Sequence, residues 1–192
     1  MASAESALRT SAADLNAVRV RWALVGGLAV SARTIPRFTK DLDFAIAVTS
    51  DAEAEEVVHR LRARGYYPVE VLEQDYVRRL SGVRLARTGS DVLVDLLFAS
   101  SGIENEVVAG ADRLEVLPRL TIPVATTQHL IALKVLAGRS QDLTDLGYLI
   151  PSASSAELDA AREAVKLIQD RGFNPGQDIA ADLETLIADT KR

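Results

Sequence analysis

The chain has 192 residues, 48% of them hydrophobic and 26% charged, with a formal net charge of −5. That is enough chain, in a globular balance, to bury a core in one domain, and an acidic total argues against non-specific coating of nucleic acid while leaving room for a local basic groove. No cysteine is present, which excludes disulfides, thiolate catalysis and cysteine-ligated zinc.

In chain order, the first residues, MASAESALRT, lack the basic start and apolar core of a signal peptide. No apolar run approaches a membrane span, so the expected location is cytoplasmic. Leu8, Ala12, Leu15 and Val18 recur at helical spacing and predict an amphipathic helix over residues 4 to 18. Ala23, Leu24 and Val25 read as a buried strand, and Leu28 to Arg33 as a helix, which places Gly26 and Gly27 in a strand-to-helix turn. Backbone without Cβ atoms can approach a phosphate closely, and free N–H groups at a helix start favour an anion. An ordinary glycine turn is the plain alternative. Arg33, Arg37 and Lys40 then gather around Pro36, either as a solvated basic linker or as cations for a triphosphate or an RNA backbone.

The following strand begins Asp-Leu-Asp. Alternation puts Asp41, Asp43, Ala45 and Ala47 on one face and Leu42, Phe44, Ile46 and Val48 on the other. Two carboxylates over an alanine floor are placed to share a divalent cation, which takes oxygen ligands and leaves room for substrate phosphates. Residues 51 to 64 predict a helix with acids early and arginines late, matching the helix dipole, and Gly65 ends it; His59 reads as a surface residue. Tyr67 to Leu72, Tyr76 to Leu80 and Val83 to Arg87 read as three strands with turns at Glu73-Gln74 and Ser81-Gly82. Arg78, Arg79, Arg84 and Arg87 cluster there, to track nucleic-acid phosphates, or as an exposed sheet face or partner-binding surface.

In DVLVDLLF, residues 91 to 98, Asp95 shares a face with Leu93 and Leu97. A carboxylate inside so apolar a strand needs a compensating charge, either a metal shared with Asp41 and Asp43 or a buried salt bridge to an arginine. Residues 104 to 111 predict a short helix. Residues 114 to 124 predict a pair of edge-like strands, since Pro118 and Pro123 cannot donate to a ladder. Thr126 or Thr127 caps a helix from Gln128 to Ala137 that Gly138 ends; His129 lies on it, at its surface or partly buried. Lys134 is alone among apolar neighbours there, consistent with an apolar stem threading to an exposed ammonium. Ser140 reads as the next N-cap, with Asp142 and Asp145 on one helical face and Asp142 suited to the helix dipole. Past residues 151 to 155 come two amphipathic helices, residues 156 to 171 and 179 to 188, joined by a turn at Gly172 to Gly176 and carrying no chemical motif.

The run VGGLAVSARTIPRFTKDLDF resembles the first motif of the AbiEii/MenT nucleotidyltransferase toxins of the polymerase-β superfamily, although many superfamily members carry Gly-Ser where this chain has Gly26-Gly27. The likeness continues as VDLLFA around Asp95, ALKVLAGR around Lys134 and QDLTDL with Asp142 and Asp145. It implies an α+β, polymerase-β-like nucleotidyltransferase fold, a mixed sheet flanked by helices. Residues 1 to 150 would form the nucleotidyltransferase domain and residues 151 to 192 a C-terminal helical portion packed on it. By the same resemblance, Asp41, Asp43 and Asp95 hold magnesium, and Asp95 also orients or deprotonates the attacking hydroxyl. Lys134 faces the triphosphate of a nucleoside triphosphate, with Gly26, Gly27, Arg37, Thr39 and Arg139 also binding the nucleotide, and Asp142 belongs to the active site. The implied acceptor is the 3′ end of transfer RNA, whose modification blocks aminoacylation and translation, and a cognate antitoxin is the implied partner. The same chemistry on a protein or small-molecule hydroxyl, or a non-catalytic nucleotide-binding module, are the alternatives.

Overall fold

The computed structural model describes residues 4–35, 41–74 and 77–190. In chain order the elements are α1 (Ala4–Ala17), β1 (Trp22–Leu24), α2 (Gly26–Arg33), β2 (Leu42–Ile46), α3 (Asp51–Arg62), β3 (Tyr66–Gln74), β4 (Arg79–Arg87) and β5 (Val94–Leu97). They continue with α4 (Glu104–Ala109), β6 (Asp112–Leu117), β7 (Leu120–Val124), α5 (Thr127–Ala137), α6 (Ser140–Ser152), α7 (Ser155–Asp170) and α8 (Ile179–Thr190). The strands form one mixed α+β sheet in the order β3-β4-β5-β2-β1-β7-β6.

β2 lies near the middle because its apolar face is continuous. Leu42, Phe44 and Ile46 are buried, and Trp22 of β1 meets the Phe44 ring edge-on with centroids 5.3 Å apart. β2 runs antiparallel to β1 and parallel to β5, so the carboxylates of β2 and β5 sit side by side at the same end of the sheet. Leu8, Ala12 and Leu15 of α1 and Ala54, Val57 and Leu61 of α3 supply the helical layer of the core. α1 is tied down by Asp14, which accepts from Arg64 at 2.6 Å and from the Tyr66 hydroxyl at 3.1 Å. α5 packs against α6 and α7, and α8 against α6 and α7.

The arginine-rich segment forms two strands, where the sequence pattern predicted three. Ser81-Gly82 lies inside β4, because a Cβ on Gly82 would stand 2.8 Å from the Leu96 carbonyl oxygen of β5. That glycine permits strand contact and makes no turn. Tyr76, placed at the start of a predicted strand, lies outside the described residues. β5 is shorter than the predicted run, spanning Val94–Leu97. Of the two strands predicted at the edge, only β6 is one; β7 pairs with β6 and, through Leu24↔Val124, with β1. α2 begins at Gly26, with Val25 as its N-cap, so the glycine pair forms the first turn of the helix. α6 begins one residue earlier than expected: Arg139 is its N-cap, and the Asp142 carboxylate accepts from the Arg139 N–H at 3.3 Å.

Candidate active site

One line of cross-strand partners organises the cleft. Glu70 of β3 pairs with Arg84 of β4, Arg84 with Asp95 of β5, and Asp95 with Asp43 of β2. Directly paired residues project from the same face of a sheet at close spacing, so the charges read minus, plus, minus, minus across four strands. Arg84 binds Asp95 as a fork, Nε to Oδ1 at 2.8 Å and Nη2 to Oδ2 at 2.7 Å, while its Nη1 stays 3.8 Å from Glu70 Oε2. This hydrogen bonding raises the guanidinium pKa further above its ordinary value. The salt bridge foreseen as an alternative for Asp95 is therefore present, and it takes up both carboxylate oxygens.

At the minus–minus end, burial and then the Asp95 charge push the Asp43 carboxyl up to about 6. Asp41 adds to the rise, while Lys134 and Arg139 pull the other way. Gly26 makes room for this carboxylate. Its φ is +63°, and a Cβ there would lie 1.9 Å from Asp43 Oδ2. Gly26 and Gly27 line the cleft at the start of α2, where the first-turn N–H groups have no intrahelical acceptors.

The opposite wall comes from α5 and α6. Lys134 is buried, with Nζ 2.6 Å from Asp142 Oδ1 and 2.9 Å from Asp145 Oδ2. The plain alternative of a snorkelling, exposed ammonium is excluded: α6 folds back so that both aspartates of its inner face meet the lysine end. Arg139 Nε donates to Asp142 Oδ2 at 2.7 Å. Burial would raise the Asp142 pKa, but hydrogen bonds from Arg139 and Lys134 outweigh it and hold the carboxyl below the usual range.

Together these walls enclose about 760 Å³, and Gly26, Gly27, Asp41, Asp43, Asp95, Lys134, Arg139 and Asp142 all line it. Arg37 and Thr39, and with them Pro36 and Lys40, lie outside the described residues. Arg33 turns away from the cleft, donating to the Ala125 carbonyl and, at 2.8 Å, to Asp112. Of the other arginines on the β3–β4 hairpin, Arg79 pairs with Asp51 at 2.6 Å and, with Arg78 and exposed His59, lines a second hollow of about 680 Å³ beside α3. Arg87 lies over the Tyr66 ring at 5.6 Å. His129 is half-buried, which lowers its pKa, and its Nδ1 is 2.9 Å from Thr126 Oγ1.

Several lining residues escaped the sequence pattern. Arg84 was one of four equivalent arginines until register selected it. Ser100 and Ser101 are fixed by their hydroxyl and N–H donors to buried Glu104. Phe173 and Gln177 come from the α7–α8 connection, which carried no motif. Arg171 pins that connection to α4 through Glu106 and to the loop before it through the Gly102 carbonyl, and a Cβ on Gly102 would stand 2.5 Å from the Phe173 ring.

Among the described residues, no three carboxylates, histidines or cysteines are already arranged as a metal-ligand set. The donor chemistry nonetheless fits a hard divalent cation, because Asp43 and Asp95 are adjacent, like-charged and partly buried. A cation between them would relieve the repulsion that raises Asp43.

The family model of the nucleotidyl transferase AbiEii toxin, type IV TA system, matches residues 10–190. The chain belongs to this family. AbiEii membership makes it a nucleotidyltransferase toxin of a toxin–antitoxin system, with a nucleoside triphosphate as co-substrate and a cognate antitoxin as partner. Two solved structures show the fold. One is the solution structure of the antibiotic-resistance factor ANT(2'')-Ia, at 17% identity and a TM-score of 0.52, covering 100% of this chain and 93% of that one. The other is the crystal structure of an antigenic nucleotidyltransferase-like protein from Paracoccidioides brasiliensis, at 19% identity and a TM-score of 0.50, covering 96% and 91%. A search of curated proteins gave no match. Among the described residues, no helix of this AbiEii toxin is long and apolar enough to cross a membrane.

Proposed function

We propose that this AbiEii toxin transfers a nucleotide from a nucleoside triphosphate to the 3′ end of transfer RNA, which would block aminoacylation. The supporting observation is the adjacent pair Asp43 and Asp95, facing two cations across a cleft in a chain of a nucleotidyltransferase family. Asp41, Asp43 and Asp95 would hold magnesium, which supplies charge stabilisation on the transferring phosphate when bound. The terminal hydroxyl oxygen of the acceptor forms a bond to the α-phosphorus, and the bond from that phosphorus to the bridging oxygen breaks. Pyrophosphate leaves. Asp95 orients the hydroxyl and takes its proton once Arg84 no longer holds both of its oxygens.

Gly26 and Gly27 let phosphate oxygens approach backbone N–H groups at the start of α2. Arg139, on the rim, meets the triphosphate, and Arg37 and Thr39 are assigned to the same ligand from the motif. Lys134 acts from beneath: clamped by Asp142 and Asp145, it keeps α5 and α6 in register. Asp142 thereby serves as the positioning carboxylate of Lys134 and Arg139.

The test incubates purified protein with total transfer RNA, magnesium and each labelled nucleoside triphosphate separately, beside the Asp41→Ala, Asp43→Ala double variant. Label on RNA only with intact aspartates supports the reading, and the preferred triphosphate names the nucleotide. Protein that binds nucleotide but leaves RNA unlabelled overturns the transfer-RNA assignment and directs the search to protein and small-molecule hydroxyls.

A further inference from the structure

We infer that Arg84 is an internal latch on the metal site, occupying Asp95 in the metal-free protein and passing to Glu70 when a divalent cation takes its place. The inference rests on the metal-dependent reading above and concerns a residue outside the motifs that led to it. Three observations carry it. First, Arg84 holds both Asp95 oxygens in a planar fork, at 2.8 and 2.7 Å, so Asp95 offers its carboxylate to a cation only after at least one of these bonds opens. Second, the strand register provides an alternative seat. Glu70 is the direct partner of Arg84 on the other side, and its Oε2 is already 3.8 Å from Nη1. Third, the side chain has room to move: Arg84 is 35% exposed and Glu70 51%, against 16% for Asp95.

The charge row gives the latch its direction. Without a cation, the most favourable place for the guanidinium is beside Asp95, where it offsets the crowding of Asp95 against Asp43. With a cation between those two aspartates, Asp95 is neutralised from its other side, its pull on Arg84 weakens, and Glu70 becomes the stronger partner. Arg84 is a positioning residue: it controls when Asp95 becomes a ligand.

Titration of the nucleotide-free protein with Mn²⁺ at pH 8, followed by the loss of the free-ion electron paramagnetic resonance signal, tests this without any turnover. Arg84→Gln and Arg84→Lys are compared with the unaltered chain, with Asp43→Asn as the site control and circular dichroism as the check on folding. A charge-assisted fork that must open before binding holds affinity down by about tenfold. Arg84→Gln should therefore bind Mn²⁺ about tenfold more tightly. Arg84→Lys, which keeps the charge but cannot make the fork, should bind several-fold more tightly. Glu70→Gln, which removes the second seat, should bind more weakly.

If only Arg84→Gln tightens binding, the effect is simple charge removal and the latch is overturned. Unchanged or weaker binding in both arginine variants, with binding still lost in Asp43→Asn, overturns the latch and leaves the metal site standing. Absence of Mn²⁺ binding in the unaltered chain, or binding indifferent to Asp43→Asn, overturns the metal reading and the latch with it.

Discussion

Replacing Asp43 with Asn should stabilise the metal-free protein at neutral pH while removing its activity. Burial and the Asp95 charge raise the Asp43 carboxyl from its ordinary 3.8 to about 6. Between those values the folded state binds more protons than the unfolded state, so stability falls as pH rises through the window and levels off above it. Two pKa units correspond to about 3 kcal/mol at most. At 2–4 °C per kcal/mol for a chain of this size, the melting temperature should rise by roughly 5–10 °C at pH 8 if the amide packs as the carboxylate does. Below about pH 4 both chains carry a neutral group at this position and the difference should close. Thermal unfolding by circular dichroism in a chelating buffer, at intervals from pH 4 to 8, measures both ends. An Asp43→Asn chain no more stable than the parent at pH 8, or a difference independent of pH, would refute the claim that uncompensated carboxylate charge is stored at this point in the sheet.

Gly26→Ala places a methyl 1.9 Å from Asp43 Oδ2, at a backbone φ of +63°. The carboxylate or the helix start must move, and nucleotidyl transfer should fall by about 100-fold or more in steady-state assays. Lys134→Met leaves Asp142 and Asp145 buried without their shared ammonium; urea denaturation should show a loss of roughly 3–5 kcal/mol, part of which a second change, Asp145→Asn, restores. Gly82→Ala puts a Cβ 2.8 Å from the Leu96 carbonyl oxygen, a backbone atom of the neighbouring strand. Thermal melts should report about 1–3 kcal/mol of destabilisation. An alanine tolerated at parental stability would show that β4 and β5 can separate.

What could be read from sequence was what local periodicity encodes. Alternation placed Asp41 and Asp43 opposite Leu42 and Phe44, and placed Asp95 opposite Val94 and Leu96, before any pairing was known; the burial of β5 follows that alternation, and that of β2 follows it from Leu42 to Phe44, beyond which Ala45 is buried as well. Helical spacing located α1, α7 and α8 to within a few residues, because an apolar stripe is a property of the segment itself, while charge order and end residues located α3 and α5. Register belongs to a pair of segments, and the misread features depend on it. Nothing near Arg84 distinguishes it from Arg78, Arg79 or Arg87 until β4 is laid against β5. Gly82 has the composition of a turn, and only the approach of the Leu96 backbone explains it otherwise. Lys134 looked like a snorkelling side chain because its partners are eight and eleven positions further on, across a helix break.

The charge balance of the cleft bears on how a triphosphate could enter it. Asp41, Asp43, Asp95 and Asp142 face Arg84, Lys134 and Arg139, and each of these cations is engaged by an aspartate, Arg84 on Asp95 and the other two on Asp142. A site built to capture a bare polyanion presents unengaged donors and a net positive potential. Among the described residues, this one presents glycine backbone on one side and a repelling aspartate pair on the other, so a nucleotide arriving alone would meet carboxylates before any unengaged cation of the described residues. The balance changes when cation and nucleotide arrive together. The cation would relieve Asp43 and Asp95 and weaken the hold on Arg84, while the phosphates would compete with Asp142 for Arg139. On the metal-dependent reading proposed above, the same ion pairs that hold the cleft walls together would become the groups that receive the substrate, and the favoured ligand would be the metal–nucleotide complex rather than either component.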